Sequence, residues 1–427
     1  MTEVIQREKK FPQETAASKP TGTYKGTARP LTVGVVDFFC GAGGVSTGLL
    51  AASNEQVSFH IVEGIDNDPH CAATYKLMVG APCDTADILA LSRSPKAIAA
   101  KMKTWNLAQF DRVLLVGCSP CQGFAAHRKS VGGEDPRRNL FQAFCRIAAF
   151  VKPDAILMEN VPDIFAADHW QHYQAGHDLL TKGGYKIRSG IYNFAGFGLP
   201  QERFRAVVMA FRKDFELPDA PLTPDRYRTV RDAIGHLPPL ASGQADPSDP
   251  MHVASNHRQS TLETLRRVPK DGGNRPVGVG PACLDRTRAK HGGYTDVYGR
   301  LAWGKPSVTV TARCRTPSCG RYAHPEQDRG LTTREAALLQ GFPPGYVFVG
   351  PFDDGFKQVG NAVSPLVARQ LGAFIAGRLS GQESAERKVG VPPIRVATSV
   401  GPGFAVTING IKRRRPREQE REHAEAA

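Results

Sequence analysis

The chain lacks what would place it in a membrane or outside a cell. Its opening, MTEVIQREKKFPQ, holds no apolar run, which argues against a secretory signal. The most apolar window, VGVVDFFCGAGGVSTGLLAA at 33–52, carries Asp37 and five glycines. It therefore reads as strand, turn and helix rather than as a membrane span. No internal repeat is visible. Nine cysteines are scattered over 427 residues, an odd count in a long chain, which excludes a disulfide framework and points to a reduced cytosolic setting. Acidic residues fall short of basic ones, 41 against 55, leaving a formal net charge of +14. Basic surface gains affinity by releasing counterions from phosphates, so a polyanionic partner is expected. With 41% apolar and 22% charged residues, the composition suits a soluble protein of two or three domains, or one large domain with an insertion.

Residues 1–30 are polar and short of large aliphatics, and are expected to be a disordered tail. From 31 to 211, apolar runs alternate with mixed segments. LTVGVVDFF, VSFHIVEGID, FDRVLLVG, AILMENV and FRAVVMAF read as buried strands, with helices such as GGVSTGLLAAS and NLFQAFCRIAAFV between them. That alternation predicts an α/β fold with a doubly wound, mainly parallel sheet. After 212 the chain turns rich in Pro, Gly, Arg and Asp, and a small, loop-heavy domain is expected over 212–320. Regularity returns over 321–379, with Thr333 as the expected cap of a helix in LTTREAALLQGF and a further helix in SPLVARQLGAFIAGRL. The remainder, 380–427, carries KRRRPRE at 412–418 and reads as a mostly mobile basic tail.

DFFCGAGG at 37–44 follows a strand and opens a helix. Gly41, Gly43 and Gly44 allow a tight turn and close backbone approach to a ligand. The next strand ends in Asp66, 22 residues after Gly44, where an acid can accept both ribose hydroxyls. Asp87, in TADI, follows a third strand-like step and is placed to accept from an adenine amino group. Together these indicate an adenosine-containing cofactor. The stretch reads GAGGVS and misses the dinucleotide GxGxxG pattern, which disfavours NAD.

GCSPCQGF at 117–124 follows a strand, so it lies at the carboxyl edge of the sheet. A zinc site needs two more ligands at matching spacing, and Cys314 and Cys319 lie in a different region. A thioredoxin-like pair needs a CxxC at a helix start in a small domain. A single nucleophile fits better: Pro120 fixes the backbone before Cys121, and Glu159 ends the next strand in ILMENV. A thiolate with a carboxyl partner suits covalent catalysis on a ring that is protonated as it is attacked.

The sequence resembles the DNA cytosine-5 methyltransferases of bacterial restriction–modification type. The resemblance covers roughly 31–211 and 306–375 and keeps the family's motif order. It rests on DFFCGAGG (37–44), Asp66, Asp87-Ile88, SPCQGF (119–124), DPRRNLF (135–141), MENV (158–161) and LPQERFR (199–205). RYAHPEQDRGLTTREAALLQGFP (321–343) and QVGNAVSP (358–365) complete it.

This resemblance implies a Rossmann-like, S-adenosylmethionine-dependent catalytic domain with an inserted target-recognition domain. It implies that Phe39 stacks near the adenine, that Asp66 holds the ribose and Asp87 the adenine amino group, and that Gly41 and Gly43 meet the methionine part. Asn67, Ile88, Pro120, Leu140, Asn361 and Ala362 complete the implied cofactor pocket, and no metal is implied. Cys121 would add to cytosine C6, with Glu159 at N3 and the exocyclic amine. Arg203 would position Glu159 and the ring, and Arg205 would serve as a structural ion pair or phosphate contact. The cytosine must be flipped out of the duplex. Cys118 and Cys40 are expected to pack, and Asn160 to hold the strand-end turn. Ala125 stands where the family commonly has Ser, which removes one loop–phosphate hydrogen bond. Double-stranded DNA is the implied partner, with a cognate restriction endonuclease encoded nearby, for a cytoplasmic, nucleoid-associated monomer without a membrane anchor. The alternatives are an RNA cytosine-5 methyltransferase, whose Cys-Phe-Thr motif is absent, and an inactive DNA-binding protein, which would be expected to have lost Cys121 or Glu159.

Overall fold

A computed structural model of the chain describes residues 29–120, 139–166, 169–285, 296–382 and 390–395. Runs rich in β-branched residues build its central strands. These are β1 (Leu31–Phe38), β2 (Val57–Ile65), β3 (Cys83–Asp84), β4 (Arg112–Gly117) and β5 (Ala155–Asn160). They are followed by β6 (Lys186–Asn193), β7 (Phe204–Phe211) and the two-residue β8 (Ile394–Arg395). The sheet order is β3-β2-β1-β4-β5-β7-β6-β8. The first five strands pair in parallel; β7, β6 and β8 join by antiparallel ladders. The fold is therefore doubly wound and mainly parallel. Its order reverses between β1 and β4, which opens a crevice at their carboxyl ends.

Strand alternation feeds two apolar layers. Val36, Phe38 and Leu115 face one core, with Phe141 and Phe144 of α5 (Leu140–Val151) and Tyr173 of α6 (Trp170–Lys182). Val33, Val35, Leu114 and Val116 face the other, with Val45 and Leu49 of α1 (Gly44–Ala52) and Leu371 and Ile375 of the helix Pro365–Ser380. Among the described residues, no helix is long and apolar enough to cross a membrane.

A further core joins Val230 and Ile234 to Leu301, Trp303, Val310, Tyr322, Leu339, Phe342, Phe356 and Val359. An apolar core thus runs through the boundary expected between 320 and 321. The helices Thr333–Leu339 and Phe352–Asn361 pack with the loop-heavy region rather than inside the sheet layers. Buried charge ties this body together. Arg329 makes two bonds to Glu335, at 2.8 and 2.7 Å, with both residues at most 1% exposed. Arg300, fully buried, donates to the carbonyls of Leu265, Val268, His324 and Gln327.

One local expectation needs correction. The helix Thr333–Leu339 is capped by Thr332, whose Oγ1 accepts from the Glu335 amide at 3.1 Å, while Glu335 Oε2 accepts from the Thr332 amide at 2.8 Å. Thr333 is already inside the helix. Within 380–427, expected to be mostly mobile, Val391 and Ala220 exchange backbone bonds at 2.8 and 2.9 Å, and Ile394 pairs with Ile191.

Candidate active site

The site forms where β1, β2, β4 and β5 end. After β1 the chain turns sharply: Phe39, Gly41 and Gly43 have φ of 57°, 51° and 85°. Holding a non-glycine residue such as Phe39 there costs roughly 1–3 kcal/mol and is typical of ligand clamps. Asp66 closes the turn. Its Oδ2 accepts from the Gly41 amide and its Oδ1 from the Asp68 amide, each at 2.9 Å. Burial pushes its pKa up, against these two bonds. Each carboxylate oxygen keeps a lone pair for a hydroxyl. A Cβ built on Gly41 would meet nothing within 4 Å, so open space lies beside its backbone. This donor set fits an adenosylated amino acid.

The other expected cofactor residues surround this turn. Asn67 is exposed; Asp87 caps a short helix, accepting from the Leu89 amide at 2.8 Å. Ile88 is buried in the core against which Phe39 packs. Leu140 opens α5, Asn361 ends its helix exposed, and Ala362 is buried. Pro120 is half-buried at the end of a described stretch. Cys121, Ala125 and the DPRR of 135–138 lie outside the described residues.

What leads into Cys121 is defined. Asn160 Nδ2 donates to the Ser119 carbonyl at 3.1 Å and to Ser119 Oγ at 2.9 Å, while its Oδ1 accepts from the Val161 amide at 2.8 Å. The asparagine of MENV thus anchors the entry to the cysteine loop from the end of β5. Cys118 donates its amide to the Phe38 carbonyl at 3.3 Å. Burial, then the charges of Glu159 and Asp37, push its thiol far up. It stays protonated, and a protonated thiol is a poor nucleophile.

Glu159 lies beside Val207 in the β5–β7 ladder. Arg205, expected as a structural ion pair or phosphate contact, is the arginine that pairs with Glu159. Arg205 Nε lies 3.0 Å from Glu159 Oε1, each side chain being 12% exposed. The Arg203 guanidinium donates to the carbonyls of Val310 at 3.2 Å, Ala362 at 3.2 Å and Gly360 at 3.5 Å. Arg203 precedes β7 whereas Arg205 lies within it, so strand alternation did not fix where each would point.

Sequence reading passed over three other groups. Asp37 is 1% exposed at the end of β1 and accepts from Ser46 Oγ at 2.7 Å; burial pushes its pKa up to about 7. Tyr346 donates to the Ala42 carbonyl at 2.6 Å, fastening the second body to the glycine turn. Gln201 and Gln340 are fully buried and bonded to each other at 2.8 Å. Asp37, Gln201 and Gln340 stood inside quoted motifs and Tyr346 three residues beyond one, yet nothing in a sequence tells a buried Gln from an exposed one.

Comparison with known proteins shows the family to which the chain is similar. The model of the family "C-5 cytosine-specific DNA methylase" matches residues 33–376. The Type II methylase M.HgiDII of Herpetosiphon aurantiacus is 31% identical over 83% of this chain and 98% of its own length. The Type II methyltransferase M1.HphI of Haemophilus parahaemolyticus is 32% identical over 79% of this chain and 84% of its own length. Among solved structures, a DNA modification methyltransferase encoded within a prophage of E. coli superposes with a TM-score of 0.61 at 22% identity. It covers 82% of this chain and 100% of that one.

Proposed function

The chain belongs to the C-5 cytosine-specific DNA methylase family, and from that premise we propose that Cys121 is its nucleophile, Glu159 its ring-binding acid and Arg205 the partner that orients Glu159. The protein is a DNA (cytosine-5-)-methyltransferase, and S-adenosylmethionine is its cofactor. The observation that carries the assignment of residues is the meeting of Glu159, Arg205 and the Asn160–Ser119 anchor at adjacent strand ends.

Cytosine C5 is a weak nucleophile. The Cys121 thiolate forms a bond to C6, and the electron pair of the C5–C6 double bond moves to C5. Glu159 holds N3 and the exocyclic amine, stabilising the charge that develops. S-adenosylmethionine, when bound, supplies the methyl group from its sulfonium to C5. A base then takes the C5 proton, the C5–C6 double bond re-forms, and the Cys121 thiolate leaves. Phe39 would stack near the adenine, Asp66 would hold the ribose and Asp87 the adenine amine, and Gly41 and Gly43 would meet the methionine part. Asn67, Ile88, Pro120, Leu140, Asn361 and Ala362 line the rest.

Region 212–320 is assigned to target reading, because base-edge contacts need side chains presented by loops on a rigid support. The relatives named Type II methylases support a place in a restriction–modification system, with a cognate endonuclease. The protein acts as a monomer on double-stranded DNA in the cytoplasm. The test is methylation of plasmid DNA with labelled cofactor, followed by bisulfite sequencing. One recurrent protected cytosine context is expected; label without a recurrent context, or none, overturns the assignment.

A further inference from the structure

Three buried side chains stand between the cofactor wall, the arginine of the ring-binding acid and the root of the region assigned to target reading. Residues 200–203 and 307–310 run side by side. The Ser307 amide donates to the Pro200 carbonyl at 3.0 Å, and the Glu202 amide to the Ser307 carbonyl at 2.9 Å. Inside this seam the amides form a directed relay. The Val310 amide donates to Gln201 Oε1 at 2.9 Å, Gln201 Nε2 to Gln340 Oε1 at 2.8 Å, and Gln340 Nε2 to the Ala362 carbonyl at 2.6 Å. A fixed donor at one end and a fixed acceptor at the other set both side-chain orientations, because flipping either would oppose like groups. Arg203 closes the loop by bonding the carbonyls of Val310 and Ala362, both at 3.2 Å.

The seam leaves no slack. A Cβ on Gly360 would lie 2.2 Å from the Ala312 amide nitrogen, and a Cβ on Gly44 would lie 2.1 Å from the Val363 carbonyl oxygen. Backbone 311–312 is thus pressed on the helix end that precedes Asn361, and backbone 363 on the glycine turn. Two residues beyond Arg203, Arg205 meets Glu159. Displacement of Ala362 would change the distance between cofactor and ring.

We propose that Gln201, Arg203 and Gln340 are positioning residues that hold the cofactor wall at Asn361–Ala362, the Glu159–Arg205 pair and the Val310 root of the recognition region in one register. The inference rests on the proposed places of Ala362 and Glu159 in the site. A methyl donor about 1 Å out of line costs about 10²-fold in rate, so the hub acts on the chemical step.

The experiment is single-turnover methylation with enzyme saturated in S-adenosylmethionine and target duplex, well below each variant's melting temperature. Gln340→Met and Gln201→Met keep side-chain bulk and lose the relay. Each is expected to slow the saturated step about 10- to 100-fold, with a cooperative melt retained. Saturated rates within twofold of the parent, accompanied by lower melting temperatures alone, would reduce the hub to a structural role and overturn the proposal. Should the methionine variants fail to fold, Arg203→Lys, which keeps the charge but loses the guanidinium fork, makes the same comparison. Cys121→Ser serves as the control on the site: if it turns over, the reading of the site has failed; if it is dead and the glutamine variants run at parental rate, only the hub has.

Discussion

The sheet body and the body that contains the region proposed to read the target, the recognition-side body, are stabilised in opposite ways. Around β1, β4 and β5 the described interior is apolar, and burial raises the pKa of Asp37, enclosed in it, to about 7. Around the helix Thr333–Leu339 the interior is held by ions. Arg329 pairs with Glu335 inside the core, Arg334 bonds Asp249 at 3.0 Å, and His324 lies neutral with its Nδ1 accepting two backbone amides at 3.1 and 3.0 Å. A body poor in regular elements has many backbone groups to satisfy, and fully buried arginines satisfy several each. The sheet satisfies its own.

The largest effect that would sharpen this comparison is expected from Glu335→Gln. Removing one partner of a buried pair leaves Arg329 uncompensated, a loss of about 3–5 kcal/mol. Calorimetry should show the recognition-side body melting first, and a single transition shifted by less than a degree would contradict the contrast. The next effect has the opposite sign. Asp37 keeps its proton in the folded chain up to about pH 7 but loses it near 3.8 when unfolded. Its burial therefore lowers stability progressively from about pH 4 to pH 7. Asp37→Asn should raise stability at pH 8 by on the order of 3 kcal/mol, and by almost nothing at pH 3.5. Equal shifts at both pH values would remove Asp37 as the cause.

Acid acts on the other body. Burial would push Glu335 up, but Arg329 overrides it and holds it at about 2, so its stabilisation is lost as pH falls from about 4.5 through 2. Burial pushes His324 down to about 4, so the unfolded chain binds its proton first and stability also falls from about pH 6.5 to 4. Urea titrations across this range should show the recognition-side body weakening while the sheet body does not. The smallest effect is local: Thr332→Ala should cost about 1 kcal/mol, the worth of an N-cap. Thr333→Ala should cost clearly less, and the reverse order would restore Thr333 as the cap.

The same contrast governs what the sequence made legible. β1, β2, β4, β5 and β7 were readable because buried strands demand long apolar, β-branched runs. β6 was not, because KIRSGIYN is a mixed strand only part of which is buried. The cap was decidable and misplaced: Thr332 stands three residues before Glu335, the spacing of a capping box, and Thr333 does not. The motif residues Asp66, Asp87, Glu159 and Asn160 could be placed at strand ends, since strand polarity orders them along one crevice. The orientations of Arg203 and Arg205 could not, because side chains two apart diverge once the backbone leaves the strand. The hub of Gln201 and Gln340 joins positions far apart in the chain, and only the tertiary fold brings them within bonding distance.

The central claim is that one thiolate, Cys121, carries the chemistry and that Cys118 beside it is an inert, partly buried thiol. The direct measurement is covalent trapping on a target duplex with 5-fluorocytosine, where fluorine at C5 cannot leave as a proton and elimination stalls. Cys118→Ser should trap like the parent enzyme, and Cys121→Ser should yield no denaturant-stable complex. Equal loss of trapping in a folded Cys118→Ser, or trapping that persists in Cys121→Ser, would contradict the account.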